Sequence, residues 1–65
     1  MYRVMLMNHN HFLKEIYDTF QEAYDGGKLT GFEFSIWKYS EHDHVWMFIG
    51  ACKGPDLKWT ENSRG

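Results

Sequence analysis

Between Gly31 and Cys52 apolar and polar positions alternate with a period of two, broken once. Gly31-Phe32-Glu33-Phe34-Ser35-Ile36-Trp37-Lys38-Tyr39 reads as a half-buried strand, and Ser40-Glu41-His42-Asp43 as a polar break. His44-Val45-Trp46-Met47-Phe48-Ile49-Gly50-Ala51-Cys52 then reads as a second strand of β-favouring residues. A hairpin looped at Ser40-Glu41-His42-Asp43 sets Tyr39 opposite His44. It places Ile36/Met47 and Phe34/Ile49 on one face, and Trp37/Trp46, Ser35/Phe48 and Tyr39/His44 on the other. Both faces are then apolar. One suffices for a small core, so the second needs a cover or a partner.

Tyr2-Arg3-Val4-Met5-Leu6-Met7 predicts a further strand, completing the three that an independently stable sheet usually requires. Gly54-Pro55-Asp56 ends the last clear strand. Trp59 is expected to fold back over part of the second hairpin face. Residues 61–65 are expected to fray, leaving one domain over residues 1–60.

Residues 11–30 admit two readings. In the first, one helix runs from about His11 to Asp25, with Leu13, Ile16, Tyr17, Phe20 and Tyr24 on one face, Asn10 as N-cap and Gly26-Gly27 as the stop. In the second, Phe12 to Tyr17 is a short strand paired with Tyr2–Met7. The helix then begins at Thr19, where Thr19-Phe20-Gln21-Glu22 is a capping box, and Gly26-Gly27 falls inside it at a cost of about 1 kcal/mol per glycine. Periodicity favours the single long helix. Both readings give an α+β domain, a three- or four-stranded antiparallel sheet with one helix packed on one face.

The order Phe12, Ile16-Tyr17, Thr19-Phe20-Gln21-Glu22-Ala23, Gly31-Phe32-Glu33 resembles small phage-encoded accessory proteins that modulate their host, among them the short phage inhibitors of bacterial RNA polymerase. About a third of the chain carries the resemblance. It implies a protein that binds a host factor. The chain departs from that pattern in its shorter helix segment, its double glycine and its lack of the basic residues such inhibitors use.

Composition narrows the classes. The 65 residues include five Phe, four Tyr and three Trp. Such aromatic mass supplements a core that a chain this small builds only marginally. The single cysteine, Cys52, excludes an intramolecular disulfide and a Cys-based zinc site, and reads as a small buried thiol. With nine carboxylates, seven Lys/Arg and a formal charge of −2, the chain as a whole lacks the clustered cations of nucleic-acid backbone binding. No apolar run approaches bilayer length, so a cytoplasmic protein without membrane partners is expected, as monomer or homodimer.

Chemistry-bearing motifs are few. His9-Asn10-His11 and His42-Asp43-His44 are His-x-His pairs that could supply imidazoles to a metal if both loops lay at one end of the sheet. Solvated loop histidines are the plainer reading, and no metal or cofactor is expected. Glu15, Asp18, Glu22 and Asp25 form one acidic stripe on the long-helix reading, suited to a basic partner surface. No phosphate loop or nucleophile elbow is present, and catalysis is not expected. Trp37, Tyr39, Trp46, Phe48 and Trp59 make the strongest constellation. The expected function is a non-catalytic module that binds a protein partner through these aromatics and the acidic stripe. Single-stranded nucleic acid is a second candidate for the same rings, and a small His-based metal protein a third.

Overall fold

Thr19 decides where the helix begins. In the computed structural model, which describes residues 1–62, Thr19 is extended (φ −126°, ψ 157°) and its Oγ1 accepts the Glu22 N–H at 3.2 Å. The same hydroxyl donates to Glu22 Oε1 at 3.1 Å. This capping pair starts α1, which runs Phe20–Thr30. The preference for one long helix from His11 to Asp25 is therefore corrected. The chain instead leaves β1 (Tyr2–Leu6), turns with Asn10 at φ 48°, and returns as β2 (His11–Phe12), paired as Met5↔Phe12 and Leu6↔His11. The pairing continues past β2 through Leu13 N–H to Val4 O and a reciprocal Tyr2/Tyr17 pair, all at 2.8 Å. Leu13, Tyr17, Phe20 and Tyr24 do all pack against the core. They come from two elements, so their spacing imitates one helix. Ile16, which the stripe also included, is exposed.

Gly26 and Gly27 lie inside α1 rather than ending it. A Cβ at Gly27 would overlap the fully buried ring of Phe34. Close packing on that ring thus overrides poor helix propensity. The stop comes at Gly31 (φ 76°), whose N–H bonds Lys28 O at 3.2 Å.

β3 (Phe34–Ser40), β4 (Val45–Lys53) and β5 (Lys58–Glu61) complete a five-stranded antiparallel sheet ordered β2-β1-β3-β4-β5. The α+β class is as expected, with more strands than the three or four foreseen. The additional one is β5, from the segment expected to be a lid. Asn62 N–H still donates to Ile49 O at 3.0 Å, and the rest of the expected frayed tail, 63–65, falls outside the described residues.

The hairpin register also differs from expectation. The turn occupies residues 41–44, with His44 at φ 56° and its N–H on Ser40 O at 2.7 Å. Pairing runs Ser40↔Val45, Tyr39↔Trp46, Lys38↔Met47 and Trp37↔Phe48, then jumps to Ile36↔Gly50, Ser35↔Ala51 and Phe34↔Cys52. Ile49 is the extra residue of a β-bulge. Near the turn each partner moves by two positions, which keeps every side chain on its expected face. Past the bulge the sides invert: Gly50 and Cys52 fall to the helix side, Ala51 and Lys53 to the other.

The core lies between α1 and the sheet, with Val4, Ala23, Phe34, Ile36 and Cys52 fully buried. Trp59, paired with Cys52, belongs to this side. Its ring centroid is 5.1 Å from Phe20 and 6.2 Å from Tyr24. It lies over Gly50, where any Cβ would collide with the indole. The expectation that Trp59 covers the second hairpin face is thus corrected.

Candidate site: the open aromatic face of the sheet

Among the described residues no element packs on the face opposite α1, and strand alternation stocks it. β1 contributes Arg3 and Met5, β2 Phe12, β3 Ser35, Trp37 and Tyr39, and β4 Trp46, Phe48 and Ala51, all in register with one another. The rings meet edge to face. Centroids are 5.8 Å apart for Phe12–Trp37, 5.5 Å for Trp37–Phe48 and 5.2 Å for Tyr39–Trp46. Trp37 leans back over Ser35, its Nε1 donating to Ser35 Oγ at 2.9 Å, which satisfies the indole and helps bury the serine. Phe48 is 37% exposed. Tyr39 Oη and His44 Nδ1 are 3.4 Å apart.

Arg3 ties the two groups of rings together. Its guanidinium carbon is 4.4 Å from the Phe12 centroid and 5.6 Å from that of Trp46, and Nη2 donates to Leu13 O at 3.4 Å. Its Nε is buried among the rings without a hydrogen-bond partner. A cation fixed between two ring faces stabilises the layer and lends it positive charge.

Four of the five aromatics expected to form a binding surface, Trp37, Tyr39, Trp46 and Phe48, are brought together here. Trp59 is on the other side of the sheet. Phe12 and the clamping role of Arg3 were missed, although the short-strand reading of residues 12–17 carries the signal, since a Phe12 opposite Met5 must share this face.

Neither the acidic residues nor the His-x-His pairs are brought together. Only Glu22 and Asp25 of the four stripe carboxylates lie in α1; Glu15 and Asp18 sit in the segment before it. Glu22 is engaged with Thr19, and Asp25 accepts from Gln21 Nε2 at 2.9 Å. No single acidic helix face forms. The His-x-His pairs are separated as well. The turn after β1 adjoins the start of β3, while the turn carrying His42 and His44 follows its end. No group of three or more candidate metal ligands occurs among the described residues.

Cys52 is a buried thiol, as read from the sequence. Burial raises its pKa, against opposing influences from Lys28 and a Tyr24 hydrogen bond. Burial, and then the charge of Glu15, also raise the Tyr17 phenol. On the helix side a shallow groove runs among Met1, Lys38, Met47 and Ile49, where Met1 and Met47 are about half exposed. No helix among the described residues is long and apolar enough to cross a membrane. Comparison with protein-family models, with curated proteins and with solved structures finds no match for this chain.

Proposed function

We propose that this protein is a non-catalytic interaction module whose macromolecular ligand seats on the open face of the sheet. One observation carries the reading: Phe12, Trp37, Tyr39, Trp46 and Phe48 form a continuous ring layer clamped by Arg3, with no second layer upon it among the described residues. Trp, Tyr and Arg are the residue types that concentrate binding energy at interfaces, and rings already packed against one another lose little conformational freedom on binding. The acidic residues of α1 have no part in this reading, because they do not form the stripe that suggested a role for them.

A host protein, as the likeness to phage accessory proteins implies, and a nucleic acid both suit the ring chemistry. Charge around the rings separates the two. The test of the shared reading is affinity capture from bacterial lysate with three chains: the wild type, Trp37→Ala/Trp46→Ala and Glu22→Gln/Asp25→Gln. The wild type and the helix variant should retain the same ligand, and the face variant should lose it while keeping its circular dichroism. A folded face variant that still holds the ligand refutes the reading.

A further inference from the structure

The formal charge of −2 conceals a segregation that only the register reveals. Past the bulge at Ile49, Lys53 occupies an open-face position on β4, and Lys58 pairs with it from β5. Both are exposed. With Arg3 they put three cations on the face that holds the rings. Lys38 falls on the helix side, with its Nζ 5.9 Å from the Tyr2 ring centroid.

Eight of the nine carboxylates lie elsewhere. Glu61 is the only one within a strand, and it pairs with Gly50, a helix-side position. Glu15, Asp18, Glu22 and Asp25 belong to α1 and the segment before it. Glu41, Asp43 and Asp56 are in turns. Glu33 is the exception: it precedes helix-side Phe34 and takes an open-face position across from Lys53, where one oxygen accepts the Gly54 N–H at 2.6 Å. Three cations against one carboxylate leave the open face aromatic and net cationic in an acidic protein.

We propose that the ligand of the open face is a single-stranded nucleic acid, with bases stacking on the rings of Phe12, Trp37, Phe48, Tyr39 and Trp46 and phosphates drawn to Lys53 and Lys58. The proposal rests on the open face being the binding surface. Its basis is charge complementarity joined to ring chemistry. An antiparallel sheet backed by a helix, with stacking aromatics and flanking cations on the free face, is a general physical solution for binding unpaired bases, since every base has a π-face and every linkage a charge. Seven residue steps at about 3.3 Å separate Trp46 from Lys53, so the site spans about 23 Å. That length matches a few nucleotides, the low end of the roughly 4–16 that small sheet-based modules cover. Duplex is the wrong shape for it, because among the described residues no helix lies on this face to enter a groove.

The test is fluorescence anisotropy with labelled oligonucleotides of about 12 nucleotides, DNA and RNA, each as single strand and as duplex. Single strands should bind the wild type in the roughly 10⁻⁴–10⁻⁶ M range, with quenching of tryptophan fluorescence, and duplexes much more weakly. Two phosphate contacts, at Lys53 and Lys58, give a slope of log K against log salt of about −1.4, at about 0.7 per contact for single strands. Lys53→Gln/Lys58→Gln, two exposed positions that leave the fold alone, should flatten it by about 1.4. Trp46→Ala should weaken binding about 10-fold or more. Absence of single-strand binding, equal affinity for duplex, or a salt slope indifferent to the lysines would each overturn the proposal. If oligonucleotides fail while a captured protein still depends on Trp37 and Trp46, the ligand is a protein: the nucleic-acid inference falls and the open-face reading stands. If neither ligand depends on those rings, both fall.

Discussion

The two glycines in the middle of α1 offer a paired experiment, because helix propensity treats them alike and packing does not. Replacing either by alanine should favour the helix by about 1 kcal/mol. At Gly27 the new methyl would overlap the edge of the Phe34 ring, which is 0% exposed and sits between helix and sheet. Overpacking a ring that cannot yield typically costs about 1–3 kcal/mol beyond what the site can absorb. At Gly26 the obstacle is the phenol end of Tyr17, a half-buried side chain that can swing toward solvent. Gly27→Ala should therefore be net destabilising by about 1 kcal/mol, and Gly26→Ala neutral or mildly stabilising. The two should differ by at least about 1 kcal/mol. Urea denaturation followed by tryptophan fluorescence, with an unchanged slope, measures this directly. In a domain of this size each kcal/mol also moves Tm by about 4–8 °C. If Gly27→Ala stabilises as much as Gly26→Ala, the claim that α1 contains glycine to approach Phe34 is wrong.

Three further outcomes follow from the packing. Trp59→Ala should destabilise by about 3 kcal/mol, since the indole contacts Phe20 and Tyr24 beside the core; thermal melts would show it, and a loss below about 1 kcal/mol would put Trp59 back among the surface residues. Thr19→Ala removes the cap and should cost about 1 kcal/mol in the same assay, which a helix starting near His11 would not feel. Burial raises the Cys52 thiol above its ordinary value of 9.0 and the Tyr17 phenol above 10.0, so both ionise more readily in the unfolded chain. Their contribution is complete below the unfolded values and is lost as pH rises through the folded ones. Stability should thus decline above about pH 9, less steeply in Cys52→Ala, as denaturation midpoints at successive pH values would report.

How much was legible depended on whether a signal was local. The Thr19-Phe20-Gln21-Glu22 cap and the alternation of β3 and β4 could be read because neighbouring residues create them. The helix boundary was misjudged because Leu13 and Tyr17 reach the core from an extended segment at a spacing that a helix would also produce. Gly26-Gly27 misled for a related reason: the ring that requires Gly27, Phe34, lies in another element. Of the site, Trp37, Tyr39, Trp46 and Phe48 were visible because the hairpin register differs near the turn by two positions, which leaves the period of two in phase. Phe12, and the placement of Lys58 beside the rings, were hidden behind strand pairings. Trp59 was assigned to the wrong side because nothing in the sequence marks Ile49 as the residue where sidedness inverts.

That inversion bears on how the chain avoids misfolding. In most sheets one oily face and one wet face penalise a slipped register at once, because a shift by one residue turns the wrong side inward. Here both sides of the β3–β4 hairpin are oily, so several alignments would bury comparable area. The extra residue at Ile49, together with the gap at Gly50 that admits only the Trp59 ring, singles out one alignment among near equals. Deleting Ile49 would leave a chain with as much to bury and no single way to bury it, prone to mispaired and intermolecular hairpins.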